Sequence, residues 1–182
     1  MSQLTGKHIL IAIPKNQFDE NELIPLQDML KKEGAHVLTL SKNGQEAVGM
    51  QKTRITPDGR IIDWNIQPTH HGKYDAVVVL GGKGAPKSLW DDPILPQILT
   101  DHFRADKVVA GIGLGVAVLA RAGLLQAEAS APEDEKVLEE LNQVSVDRSD
   151  EPVTQMEKVI TGKGAISVSE FASALIDYLC PQ

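Results

Sequence analysis

Hydrophobic and polar residues fall into two patterns that alternate along this chain. The first is a short apolar run without polar alternation, seen at His8 to Ile13 (apolar after His8), Ala35 to Leu40, Asp75 to Leu80 and Lys107 to Ile112. Branched residues dominate these runs, as expected for strands buried on both faces. The second pattern repeats apolar residues every three or four positions. Glu20 to Glu33 does so at Leu23, Leu26 (or Met29) and Leu30, and ends in Lys31, Lys32 and Gly34. That spacing predicts an amphipathic helix with a basic last turn and a glycine stop.

Leu95 to Phe103, Val116 to Arg121 and Ser167 to Leu179 read as further helices, the last with Phe171, Leu175, Ile176 and Leu179 on one face. Glu133 to Leu141 reads as an acidic helix capped near Ser130, with Pro132 in its first turn. Pro152 to Met156 and Lys158 to Thr161 predict two short strands joined by a turn. Between Gly44 and Thr69 the pattern weakens. Apolar pieces around Ala47 to Val48 and Arg60 to Ile62, separated by Pro57 to Gly59, suggest a small hairpin or an irregular excursion. A strand, a helix and a strand within the first 40 residues form a βαβ unit, so the sheet is predicted to be parallel with right-handed crossovers. No repeat or linker divides the chain. The expectation is one α/β domain over residues 1–182, a mostly parallel sheet with helices on both faces.

Composition narrows the function classes. Eighteen Lys and Arg against 25 Asp and Glu give a net charge of −7, which argues against a nucleic-acid partner. The longest apolar run, Val108 to Ala120, is interrupted by Gly111, Gly113 and Gly115 and is too short to span a membrane. Cys180 is the one cysteine, so no internal disulfide forms, and a cytoplasmic location is expected. The glycines at 111, 113 and 115 do not fit the dinucleotide fingerprint, and no cofactor is expected. Adjacent His70 and His71 have no partner at metal-ligand spacing and read as a solvated loop; no metal site is expected. His8, His36 and His102 read as strand-edge or surface residues. The acids at 128, 133–135, 139 and 140 read as a solvated face, and Trp64 and Trp90, near loop ends, as partly buried core residues or else as interface or lid residues.

In open α/β sheets, sites form where the strands end. Three such ends carry polar or glycine-rich segments: Asn16 to Glu22, Gly81 to Gly84 and Gly111 to Gly115. In this order and spacing they resemble the DJ-1/PfpI (ThiJ) superfamily. The likeness extends through Tyr74 to Gly82, Val109 to Leu125, Ser130 to Pro132, Glu151 to Val153, Ile160 to Gly164 and Glu170 to Ala172. It implies a flavodoxin-like three-layer sandwich, related to class I glutamine amidotransferases, and a homodimer. Enzymes of that superfamily place a cysteine in a sharp turn between strand and helix, touched by a carboxyl group from the first loop, with backbone N–H groups to hold an oxyanion.

Here the resemblance puts Gly113 at the cysteine position and Leu114 and Ala131 at the two places where a histidine occurs. Only the acidic loop remains, with Asp19 or Glu22 as the carboxyl group. Glycine in such a turn relieves about 1–3 kcal/mol of backbone strain while removing the nucleophile. Cys180 is far from the turn in sequence and is not expected to substitute. The reading is a pseudoenzyme that binds a small ligand or a protein partner. Its candidate residues are Asp19, Glu22, Gly81, Gly82, Gly113, Leu114 and Gly115. Backbone N–H groups of Gly81 and Gly82, with those of the helix starting near Gly115, suggest an anion site. The alternative is a hydrolase or lyase (amidase, protease or glyoxalase-like) with a non-cysteine mechanism, for which Ser130, Thr161 and Ser167 are the candidate hydroxyls.

Overall fold

Parallel strands form the centre of the molecule. A computed structural model describes residues 2–180. In chain order the elements begin β1 (His8–Ala12), α1 (Glu20–Lys32), β2 (His36–Ser41), β3 (Ala47–Val48), β4 (Arg54–Ile55) and β5 (Gly59–Arg60). They continue with β6 (Ile66–Gln67), β7 (His70–His71), β8 (Ala76–Val79), α2 (Ala85–Ser88), α3 (Leu95–Arg104), β9 (Val108–Ile112) and α4 (Val116–Arg121). The remainder is β10 (Glu128–Ser130), α5 (Glu135–Gln143), β11 (Asp147–Ser149), β12 (Val153–Met156), β13 (Val159–Gly162) and α6 (Val168–Leu179). A seven-stranded sheet runs β12-β13-β9-β8-β1-β2-β5. Every pairing in it is parallel except that of β12 with β13.

Alternate residues of each central strand face opposite layers. Leu10, Val77, Val79 and Val109 pack with Ile98 of α3, Leu119 of α4 and Leu141 of α5. Ile9, Ile11, Val78 and Ala110 pack with Leu23, Leu26 and Leu30 of α1 and Phe171 and Leu175 of α6. The sandwich therefore has three layers, the mostly parallel α/β arrangement that the apolar runs predicted.

The structure departs from the sequence expectation in four places. Ala47 and Val48 pair with Ile55 and Arg54, not with Arg60 to Ile62; Gly59 and Arg60 instead extend the main sheet beside β2. The hairpin closes on a distant group, since Oε2 of buried Glu20 accepts the N–H groups of Gln51 (2.7 Å) and Thr53 (3.1 Å). The acidic helix starts at Glu135, not near Pro132. Its N-cap is Asp134, whose Oδ1 accepts from Lys136 (2.9 Å) and Val137 (3.2 Å), while residues 128–130 pair with β11. Its acids are not all solvated, because Glu140 is buried against the Arg121 guanidinium.

The histidines form the fourth departure. His102 is fully buried: its Nε2 accepts the N–H of Tyr74 at 3.0 Å and its Nδ1 donates to the Ile98 carbonyl at 2.7 Å. His8 stacks between His36 (4.8 Å between centroids) and His70 (4.2 Å), so His70 belongs to a packed column and not to a solvated loop. Trp90 is buried as well, and its Nε1 donates to the Leu114 carbonyl at 2.8 Å.

Candidate functional site

Register brings the candidate residues together. Val79 of β8 lies opposite Gly111 of β9, so both strands end at one level and release Gly81–Gly82 and Gly113–Leu114 side by side. The two turns touch the first loop directly. Gly82 has φ +117°, and a Cβ there would stand 2.4 Å from the Gln17 carbonyl and 2.6 Å from the Asp19 nitrogen. Only a residue without a side chain lets residues 17–19 cross at that distance.

At Gly113 the backbone is again left-handed, with φ +59°, and a Cβ would lie 2.3 Å from Oε2 of Glu22. The left-handed turn expected from the sequence is thus present, adopted without strain because residue 113 is glycine, and a carboxyl oxygen stands close to where a side chain would leave it. Glu22 stands in the first turn of α1 and is buried, with Oε1 accepting the Gly81 N–H at 2.8 Å. Burial, and secondarily the neighbouring Asp19 carboxyl, raises the Glu22 pKa well above the usual range, and the Gly81 N–H only partly offsets this. Glu22 therefore holds its proton more tightly than an ordinary carboxyl group, and in its protonated form it can donate a hydrogen bond. Asp19 acts differently. It caps α1, its Oδ1 accepting the Asn21 N–H at 2.9 Å.

These groups floor a crevice of about 370 Å³. Of the residues expected from the sequence, Asp19, Glu22, Gly82, Gly113 and Leu114 line it. Gly81 and Gly115 do not. The Gly81 N–H is taken by Glu22, and Gly115 packs against the end of β8, where a Cβ would lie 2.3 Å from the Val79 carbonyl oxygen. Ala131 is buried, and its carbonyl accepts from Arg148 Nε at 2.7 Å; the following Pro132 reaches the crevice. The sequence reading missed the other walls: Met50 from the β3–β4 hairpin, Lys83, Glu133, Asp134 and the Lys163 to Ala165 loop after β13. No local pattern marks them, because each arrives from a different element.

The expected anion site thus loses the Gly81 donor and the glycine at the head of α4. Besides Glu22, the lining has three carboxyl groups, Asp19, Glu133 and Asp134, against the two amines of Lys83 and Lys163. It contains no thiol, hydroxyl or imidazole. Ser130, Thr161 and Ser167 are committed elsewhere. Ser130 Oγ bonds the Glu151 carbonyl and Thr154 Oγ1, Thr161 Oγ1 accepts from Ser130 N–H, and Ser167 Oγ donates to the Gly164 carbonyl. Cys180 caps the far end of α6, a helix of 12 residues and so about 18 Å long. Among the described residues, no group of three or more His, Cys, Asp or Glu side chains is placed to hold a metal ion.

The DJ-1/PfpI family model matches residues 7–178. An uncharacterized protein of Methanocaldococcus jannaschii is 31% identical over 159 residues, 85% of this chain and 74% of the relative. A Caenorhabditis elegans protein named as a glutathione-independent glyoxalase is 24% identical over 173 residues, 95% of this chain and 89% of that one. The crystal structure of a ThiJ/PfpI domain protein from Brachyspira murdochii superposes with a TM-score of 0.84 at 23% identity, covering 96% and 97% of the two chains.

Proposed function

The chain belongs to the DJ-1/PfpI family, and on that premise we propose that its crevice binds a small carbonyl compound without forming a covalent bond to it. One observation carries the proposal. Where a nucleophile would project, Gly113 carries only hydrogen, and the buried Glu22 carboxyl fills the vacated place. The raised pKa of Glu22 favours the protonated form, which donates to a carbonyl oxygen, while Leu114, Pro132 and Met50 supply apolar walls for a small carbon skeleton. The glyoxalase among the relatives is consistent with a small carbonyl ligand, and the missing thiol removes the covalent step from this chain. On this reading the protein is a pseudoenzyme, a single folded unit in the cytoplasm and a homodimer.

Titration with small uncharged carbonyl compounds (dihydroxyacetone and acetamide) tests it. We expect the backbone amide resonances of Gly82, Gly113 and Leu114 to shift, and the Glu22→Ala variant to lose that response. Absence of any shift in the wild type overturns the reading. Turnover of methylglyoxal that Glu22→Gln abolishes would establish the alternative, a lyase using a carboxyl group in place of a thiol.

A further inference from the structure

A second cavity, larger than the crevice, lies away from it. A space of about 460 Å³ opens at the opposite end of the sheet, beside the turn that joins β12 to β13. Its position follows from the topology: Val159 begins β13, Phe103 lies in the last turn of α3, and Leu125 follows the glycine stop of α4. The volume falls within the range of sites that enclose a small organic molecule.

Its lining combines two features. Phe103, Leu125, Val159 and Met156 give apolar walls, and Met156 leaves 40% of its surface exposed, a cost that an apolar occupant would relieve. Glu128 and Glu157 are the charged lining residues; no Lys, Arg or His joins them. The nearby Lys158 is already committed, with Nζ 2.9 Å from Asp106 Oδ1 and 4.3 Å from the centre of the Phe103 ring. That contact also shows the Phe103 ring seating a cation. Thr161 closes the floor, its Oγ1 accepting the Ser130 N–H at 3.0 Å. An anion entering here would meet two carboxylates and no compensating donor charge. An amine with an apolar body satisfies both the carboxylates and the walls.

We propose that this cavity is a second ligand site, specific for a small organic cation of the arylalkylamine type. Phenethylamine and 3-phenylpropionate, which share an apolar body and differ in charge, are the probes, and amide resonances together with calorimetry are the readout. Phenethylamine is expected to perturb Phe103, Leu125 and Val159. The double variant Glu128→Gln/Glu157→Gln should weaken it about ten-fold, the loss of one charge-assisted hydrogen bond. Glu22→Gln should leave it unchanged, which separates this site from the crevice. The proposal is overturned if phenylpropionate binds as tightly, if the double variant (its fold verified by an unchanged melting temperature) binds equally well, or if phenethylamine leaves those resonances unmoved.

Discussion

Glu22 and Gly113 act as a unit: the carboxyl group is where it is because the glycine has no Cβ. Two costs follow for Gly113→Ala. A non-glycine residue at φ +59° pays about 1–2 kcal/mol for the left-handed conformation. Displacing the Glu22 carboxyl adds about 1–3 kcal/mol of overpacking. In the Glu22→Ala background only the first cost remains, so urea melts of the four variants should show strong non-additivity; equal costs in both backgrounds would show that the two residues do not interact. The raised pKa of Glu22 has a definite sign in the pH dependence. The unfolded carboxyl ionises near its ordinary 4.5 while the folded one keeps its proton. Its effect on stability is therefore absent at low pH and becomes a loss as pH rises toward the folded pKa. Glu22→Gln should melt closest to wild type near pH 4 and exceed it progressively as pH rises above the ordinary carboxylate range. The sequence showed the glycine but left Asp19 and Glu22 unresolved. Both lie at a helix start, and only the structure shows one capping it while the other turns inward.

At the scale of elements, the histidine column couples β1, β2 and the β6–β7 hairpin. His8 is held below the ordinary imidazole pKa by burial first, then by His70 and His36; Asp75 and the Gly6 carbonyl oppose this. Asp75 also accepts the His8 backbone N–H at 2.8 Å and pairs with Lys107 at 3.6 Å, and the Lys73 carbonyl bonds His70 Nε2 at 2.9 Å. A base whose folded pKa is depressed stabilises the fold above its unfolded pKa and loses that contribution as pH falls through the imidazole range. His102, also depressed by burial, acts with the same sign. The melting temperature should therefore fall between pH 7 and 5. His70→Phe keeps a ring in the column but removes a charge, so it should fall less steeply; parallel slopes would assign the acid sensitivity to His102 or elsewhere. None of this was legible from spacing, because three residues distant in sequence meet only once β1 and β2 are paired and the hairpin folds back. The long helices and central strands were legible because one pattern, apolar periodicity, determines both their type and their burial. The start of α5 was not, since Ser130, Pro132 and Asp134 all satisfy helix-start chemistry, and pairing with β11 decides between them.

For the whole molecule, most of the two cores lies away from the crevice walls, and the contact between them is concentrated at the strand ends. The faces of the sheet are filled mostly by strand and helix residues, with Ile112 and Val116 flanking the turn at Gly113, and loops add the other crevice walls at the strand ends. Stability and chemistry should then separate under mutation. Leu26, fully buried beneath α1, should cost about 2–5 kcal/mol on replacement by alanine. Lys83→Ala, at the exposed rim, should change stability by less than about 0.5 kcal/mol while altering ligand response. Self-association adds a third term. Ile24 of α1 and Met50 of the β3–β4 hairpin leave 40% and 37% of their surfaces exposed, and a dimer that covers them would make the melting temperature rise with protein concentration. Light scattering across the micromolar range, paired with melts of Ile24→Glu, checks this. A dimer mass that the charge disrupts, together with loss of the concentration dependence, is the expected outcome. A monomer throughout, with a concentration-independent melt, would leave those two side chains as ordinary exposed surface and place the crevice on a self-sufficient protomer.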